Sequence, residues 1–237
     1  MNILAVDTSG PSCGVAVLRD ERLAYEGIAV NRMTHSVNLM PMAEEALTRA
    51  GLDISDINLF ATVAGPGSFT GVRIGVSVVK GMAHAAGKPC VGIDALEAFA
   101  AGLSDARALL CPIQDARAGQ VYGAAFRAGM PPERKMENVA AKLDDYLKRV
   151  LALREEEQSL LFVGDGVAAY EAAIRERLGA LACFPPAPFH ALRPACVAFL
   201  AAARRAEQTD YLTLMPRYLR APQAERERAR RLEANAL

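Results

Sequence analysis

Two aspartates stand at equivalent places in this chain, each closing a short apolar run: Ile3-Leu4-Ala5-Val6-Asp7 and Leu109-Leu110-Cys111-Pro112-Ile113-Gln114-Asp115. A carboxylate at the carboxyl end of a buried strand has two uses. It can face a cleft and hold a phosphate-bearing cation, or it can take the backbone N–H two residues on and close the turn. Both uses stay open. Ser9 and Ser12 lie beside the first acid, but no basic residue adjoins them, so a serine nucleophile has no support. The three histidines, His35, His84 and His190, are far apart and form no H-x-x-x-H or H-E-x-x-H pair. Two histidines one helical turn apart would put both rings on one metal, and the residue four after His35 is Leu39. No metal ligand and no catalytic residue is therefore assigned. Cys13, alone in an apolar strand, reads as core.

The stretch Gly65-Pro66-Gly67-Ser68-Phe69-Thr70-Gly71-Val72-Arg73-Ile74-Gly75 follows an apolar run, residues 59–64, that reads as a buried strand. Glycines at a strand-to-helix junction can make a tight turn or cradle a phosphate on free N–H groups. A P-loop carries Lys-Ser or Lys-Thr directly after its last glycine, whereas Gly71 precedes Val72-Arg73, and no G-x-G-x-x-G spacing is present. Ser68 or Thr70 is placed to cap a helix over residues 70–86. Val72, Ile74, Val76, Val78 and Val79 are β-branched, and Gly71, Gly75 and Gly81 each cost a helix roughly 1 kcal/mol against Ala. Packing must hold such a segment helical. Its apolar residues fall on nearly every side, and Gly71 and Gly75, one turn apart, are expected to offer an open backbone strip. The expectation is that one face packs on the chain's own sheet and another meets a partner. With the helix of residues 34–50 it would form an interface of His35, Leu39, Ala43, Gly71, Ile74, Gly75, Val78 and Met82.

Composition narrows the function classes. The chain has 237 residues, 52% of them hydrophobic, which argues for a folded protein of one large or two small domains. No apolar run approaches the roughly 20 residues of a membrane span, and the first residues lack a basic leader and carry Asp7 early. Five cysteines without a C-x-x-C pair fit reduced thiols, so a cytoplasmic location is expected. Formal net charge is zero, which leaves no overall electrostatic footprint for nucleic acid. Arg226, Arg228, Arg230 and Arg231 lean the tail basic, but interleaved glutamates make a solvated helix the expected reading.

The elements that must position these residues repeat. Strands at residues 3–7, 13–18 and 23–30 form a meander, then come a helix at 34–50 with Pro41 inside or at its first turn, the 59–64 strand, the glycine loop with its helix, a strand at 88–93 and a helix capped by Asp94. After residue 104 a hairpin ending in Asp115 opens a second copy, with a helix expected over 138–153, a strand at 160–163, the turn Gly164-Asp165-Gly166 and a helix from Val167 to Leu178. Residues 185–188 read as a rigid linker and Pro194 as the start of a last helix. The division expected is 1–104 and 105–210 for two lobes, with 211–237 packing back before it frays. The fold class expected is α/β: two RNase H-like lobes, each a mixed sheet with helices.

This duplicated β-β-β-α-β-α-β-α pattern, with an Asp ending each first strand, is the architecture of the actin, sugar kinase and heat-shock ATPase superfamily. Residues 3–9, His35-Ser36, the glycine stretch, Asp115-Ala116-Arg117 and Pro216-Arg217-Tyr218-Leu219-Arg220 together resemble the bacterial TsaB (YeaZ) family. The resemblance implies a non-catalytic paralogue of TsaD that binds TsaD during threonylcarbamoylation of the adenosine beside the anticodon in ANN-reading tRNAs. TsaD would perform the transfer and TsaE would supply ATPase activity. It also implies a homodimer in isolation, with tRNA reached only through the complex. The superfamily holds Mg-nucleotide between its lobes, which makes Asp7, Ser9, Gly67 and Asp115 the candidate cleft residues for weak ATP or ADP, with no cofactor required. Gly164-Asp165-Gly166 sits where the superfamily binds adenosine, although Asp165 and the short glycine run weaken that use. A nucleotide-binding ATPase or kinase is the alternative, and a metallopeptidase is opposed by the missing ligands.

Overall fold

The computed structural model describes residues 1–30, 34–103 and 107–220. The basic tail therefore lies outside the described residues. Two five-stranded mixed sheets carry the chain, and they repeat one topology. In the first, β1 (Ile3–Asp7) pairs antiparallel with β2 (Cys13–Arg19), which pairs with β3 (Arg22–Ala29). On its other side β1 runs parallel to β4 (Leu59–Gly65), followed by β5 (Cys90–Asp94). In the second, β6 (Leu109–Asp115) takes the place of β1 and is flanked by β7 (Gln120–Arg127) and β8 (Glu133–Lys142) on one side. On the other side lie β9 (Leu160–Val163) and the two-residue β10 (Ala182–Cys183). Each sheet thus has a three-stranded meander joined to parallel strands, the RNase H-like arrangement expected.

Helices α1 (His35–Ala50) and α2 (Phe69–Ala86) cover one face of the first sheet, where Leu4, Val6, Val15, Val17 and Phe60 meet Leu39, Ala43, Val72, Val76 and Val79. α3 (Ala95–Ala101) and α6 (Pro194–Ala203) cover the other face, against Ile3, Ala5, Ala16 and Ala61. Strands buried on both faces read as continuous apolar runs, and β1 and β4 have no exposed residue. α4 (Leu143–Leu153) and α5 (Val167–Leu178) pack on one side of the second sheet through Tyr146, Leu147, Val150 and Ile174. α3 is buried along its whole length because it lies between the sheets, with Phe99 in the first core and Leu96 and Ala100 against Leu110 and Phe126 of the second.

Several local expectations change. Residues 138–142 belong to β8, not to a helix: Val139 pairs with Gly123 and Ala141 with Val121. The apolar residues ahead of Leu143 fit a helical stripe equally well, and only pairing with β7 decides the matter. Pro41 sits inside α1. α6 lies within the stretch assigned to the second lobe but packs on the first sheet. Glu26 of β3 caps it, accepting the Ala195 N–H at 3.0 Å and pairing with Arg193. A second polar tie joins the lobes: Asp94 accepts from Asn138 of β8, Glu97 of α3 accepts from Arg204, and Arg134 reaches both acids.

The glycine strip on α2 is not open. A Cβ at Gly71 would collide with the Thr8 carbonyl oxygen, and one at Gly75 would stand 2.7 Å from the Thr8 hydroxyl and 2.8 Å from that of Thr62. Gly71 and Gly75 let α2 approach the chain's own β1 and β4, a closeness that any side chain would block. Ser68 caps the helix by accepting from the Gly71 N–H, and Thr8 Oγ1 donates to the Gly71 carbonyl at 2.7 Å. Leu39, Ala43 and Met82 are likewise buried in the first core, so of the expected interface set His35, Ile74 and Val78 retain partial exposure. Gly81 is different: nothing lies within 4 Å of where its Cβ would be. We expect Gly71→Ala to lower unfolding stability by about 2 kcal/mol or more, because a backbone atom must move. Gly81→Ala should raise it by roughly 1 kcal/mol through helix propensity. Urea denaturation of the two variants checks the contrast, and equal shifts would remove the close approach as the reason for Gly71.

Candidate functional site: the cleft between the lobes

The glycine loop and its counterpart define a cleft of about 610 Å³. After β4, residues 65–67 turn over the end of β1: the Ser68 N–H donates to the Ser9 carbonyl at 2.7 Å, and that carbonyl fills the place of a Gly67 Cβ. Gly67 has φ +152 and Gly65 φ +126, values that glycine tolerates. After β9, residues 164–166 turn over β6, meeting it two residues before its acid where the first loop meets the chain two residues after Asp7. The Gly166 N–H donates to the Ile113 carbonyl at 3.1 Å, and Gly164 has φ +110. Asp165 occupies in the second lobe the place of Pro66 in the first.

The two strand-end acids make the same turn. Asp7 Oδ1 accepts the Ser9 N–H at 2.8 Å and the Ser9 hydroxyl at 2.7 Å. Asp115 Oδ1 accepts the Arg117 N–H at 2.8 Å and the Tyr170 hydroxyl at 3.1 Å. Both are Asx-turns. They differ in what surrounds them. Asp115 is partly exposed and has Arg117 Nη1 at 3.6 Å, whereas Asp7 is buried with Oδ2 unpartnered. His35, set at the start of α1 with Nε2 3.0 Å from the Gly10 carbonyl, stands near Asp7. Among the described residues, no group of three or more His, Cys, Asp or Glu side chains is placed to hold a metal ion.

The cleft brings Ser9, Gly67 and Asp115 together along its lining, with Asp7 behind Ser9. Asp165, unassigned from sequence, lines it too. So do Arg217, Tyr218 and Arg220 of the strap of residues 211–220, a motif whose position gave no role in the linear chain. The strap runs along one flank of α2, where Arg73 donates to the Tyr218 hydroxyl and stacks 3.9 Å from the Phe69 ring centroid, and Lys80 donates to the Leu212 and Leu214 carbonyls. The Arg217 N–H then donates to the Ala64 carbonyl at 2.7 Å, and Arg220 donates to the Ala116 carbonyl across the cleft. Arg117 of the second lobe and Arg217 and Arg220 of the strap line the cleft together with Asp115 and Asp165.

A nucleotide cradle needs amides turned toward the ligand. Here the Ser68 and Gly71 N–H groups bond within the chain, and the glycine conformations serve contact with Ser9 and Thr8. The buried carboxyls add negative charge where phosphates would lie. Those two amides are therefore not free to hold a triphosphate.

Burial pushes the Asp7 carboxyl up to about 6, against the hydrogen bonds from Ser9. Burial, then the charges of Asp7 and Asp115, push Asp165 to about 7. Both values exceed the ordinary 3.8, so each group favours folding fully below that value, and the benefit is lost as pH rises through about 6 and about 7. Asp165→Asn should therefore be more stable than the parent chain at pH 8, by a few kcal/mol at most. The gap should close toward pH 4 in parallel urea titrations, and a gap independent of pH would remove the buried acid as its source.

Comparison with known proteins agrees with this arrangement. The family model described as TsaD: tRNA N6-adenosine threonylcarbamoyltransferase matches residues 29–228. The tRNA threonylcarbamoyladenosine biosynthesis protein TsaB of Bacillus subtilis is 34% identical over 227 residues, covering 95% of this chain and 96% of that one. The Escherichia coli protein of the same name is 38% identical over 130 residues, or 54% of this chain and 55% of its own. The crystal structure of YeaZ from Pseudomonas aeruginosa superposes with a TM-score of 0.76 at 26% identity, over 92% of this chain and 99% of that chain. Identity spread along nearly the whole length, on a shared two-lobed fold, makes this chain a member of the TsaB family, within the wider group that the TsaD model describes.

Proposed function

We propose that this chain is a non-catalytic subunit that binds a TsaD homologue during threonylcarbamoylation of the adenosine next to the anticodon in ANN-reading tRNAs. The observation that carries this reading is an outward apolar stripe on α1 and α2. Val37 and Met40 of α1 are 52% and 50% exposed, and Pro41 stands beside them. On α2, Ile74 and Val78, both partly buried against the first core, and the exposed Gly81 and Ala85 follow one another at helical spacing, beside the buried face of Gly71, Gly75 and Val79. The strap covers one flank of α2, α1 lies on another, and the stripe between has the small residue that lets a partner helix approach. The family membership supplies the partner class, because the relatives are named for this modification.

The cleft then acts as a structural junction and requires no cofactor, with ATP or ADP and Mg bound weakly at most. In isolation two copies pair through the same stripe, and a TsaD homologue replaces one of them. A TsaE homologue completes the assembly, tRNA is met only through the complex, and the work is cytoplasmic. No helix among the described residues is long and apolar enough to cross a membrane.

Gly81→Arg tests the reading. A Cβ at this position meets nothing within 4 Å, so the circular dichroism spectrum should match the parent and the melting temperature should not fall. Affinity for the purified TsaD homologue, measured by calorimetry, should fall on the order of a hundredfold, and light scattering of the isolated variant should give a monomer. A folded variant that binds at parental affinity would place the interface elsewhere. Turnover of ATP by the isolated chain, abolished by Asp7→Asn without unfolding, would favour the ATPase reading instead.

A further inference from the structure

Behind the cleft lies a second cavity of about 380 Å³, within the size range of small-molecule sites. Its wall toward the cleft is thin: Ser9, Gly10, Gln114 and Asp165 line both spaces, and a Cβ at Gly10 would stand 2.9 Å from Asp165 Oδ2. Phe99 of α3, Val167 and Ala168 of α5, and Leu192 after the 3-10 turn at 187–190 give it an apolar body.

Its polar atoms are few and mostly acceptors. Gln114 is 2% exposed, and its Oε1 has no hydrogen-bond partner. Asp165 Oδ1 is likewise buried and unpartnered, and so is His190 Nδ1. Buried polar atoms in native structures are nearly always paired, so two orphan oxygens around one apolar cavity point to a missing donor. The Asp165 carboxyl is an acceptor whichever way the Gln114 amide is turned. Charge agrees with this. Of the two carboxylates that line the cavity, Glu171 pairs with Arg175 at 2.8 Å and Asp165 has the charges of Asp7 and Asp115 beside it, while burial lowers the His190 pKa below its ordinary value.

We propose that this cavity is a binding site for a small organic cation, a compact apolar body carrying N–H donors, of the arylamidinium or alkylammonium class. The apolar body lies against Phe99, Val167 and Leu192, and the donors bond Asp165 and Gln114. An anion of the same shape is rejected, because it would stand beside the Asp165 carboxylate.

Benzamidine and benzoate, alike in shape and opposite in charge, are the probes. The full chain is titrated with each at pH 8, followed by calorimetry and by backbone amide shifts. Benzamidine should bind saturably in the millimolar range or tighter, shifting the amides of Gln114, Ala168 and Leu192, and benzoate should not bind. Asp165→Asn should weaken benzamidine at least tenfold. Ala168→Trp, at an exposed position of α5 that lines this cavity and not the cleft, should abolish binding while the circular dichroism spectrum stays unchanged; this variant decides alone if Asp165→Asn fails to fold. The proposal is overturned by the absence of saturable benzamidine binding, by equal binding of benzoate, or by full affinity in either folded variant.

Discussion

The close approach of α2 to the end of β1 is the constraint on which the rest of the first lobe depends. The Thr8 carbonyl and hydroxyl occupy the space that side chains at positions 71 and 75 would need, and the Ser9 carbonyl does the same at position 67. Three glycines in nine residues are therefore tertiary requirements. They account for a helix of poor intrinsic propensity: α2 loses stability locally and regains it by burying Val72, Val76 and Val79 against β1, β4 and α1. They also fix the height of the glycine loop over the Asp7 turn, and with it one wall of the cleft.

The second lobe solves the same geometric problem with different chemistry. Its loop after β9 meets β6 two residues before its acid where the first loop meets the chain two residues after Asp7, and the strand-end acids Asp7 and Asp115 close identical turns. Placing Asp165 where the first lobe has Pro66 gathers carboxyl groups where the lobes meet. That charge is tolerated because burial raises the pKa values and protons are retained to higher pH. The lobes are held elsewhere, by α3 between the sheets, by α6 crossing to the first sheet, and by the ties of Asp94 and Glu97 to Asn138 and Arg204. Breaking one partner of such a buried set leaves an uncompensated charge, so the junction holds a defined orientation.

Function follows from what this packing leaves uncovered. α2 has one face on the sheet, one flank under the strap and one beside α1, and the remaining stripe carries the open Gly81 with Ile74, Val78 and Ala85, next to the exposed Ser77. The strap serves twice, because Arg217 and Arg220 continue from α2 onto the cleft mouth. A partner resting on the stripe would touch elements that also bear on the cleft, a physical route between an interface and the lobe junction.

By itself the sequence determined the elements whose signals are local. The runs at 3–7, 59–64 and 109–115 were legible as buried strands, Asp94 as a helix cap, and the paired strand-end acids as a duplication. The odd composition of residues 65–86 marked a segment under unusual demand. What met that demand was decided by tertiary structure: Gly71 and Gly75 face Thr8, more than sixty residues earlier in the chain, and Gly81 alone of the three is open. Residues 138–142 became a strand because β7 was there to pair with, and α6 left its own lobe because Glu26 and the bare face of the first sheet receive it. Asp165 gained its place beside Asp7 across more than 150 residues of sequence. Periodicity and capping depend on neighbours a few residues away and are written in the chain, whereas steric exclusion, charge coupling and strand pairing depend on atoms that only folding brings together.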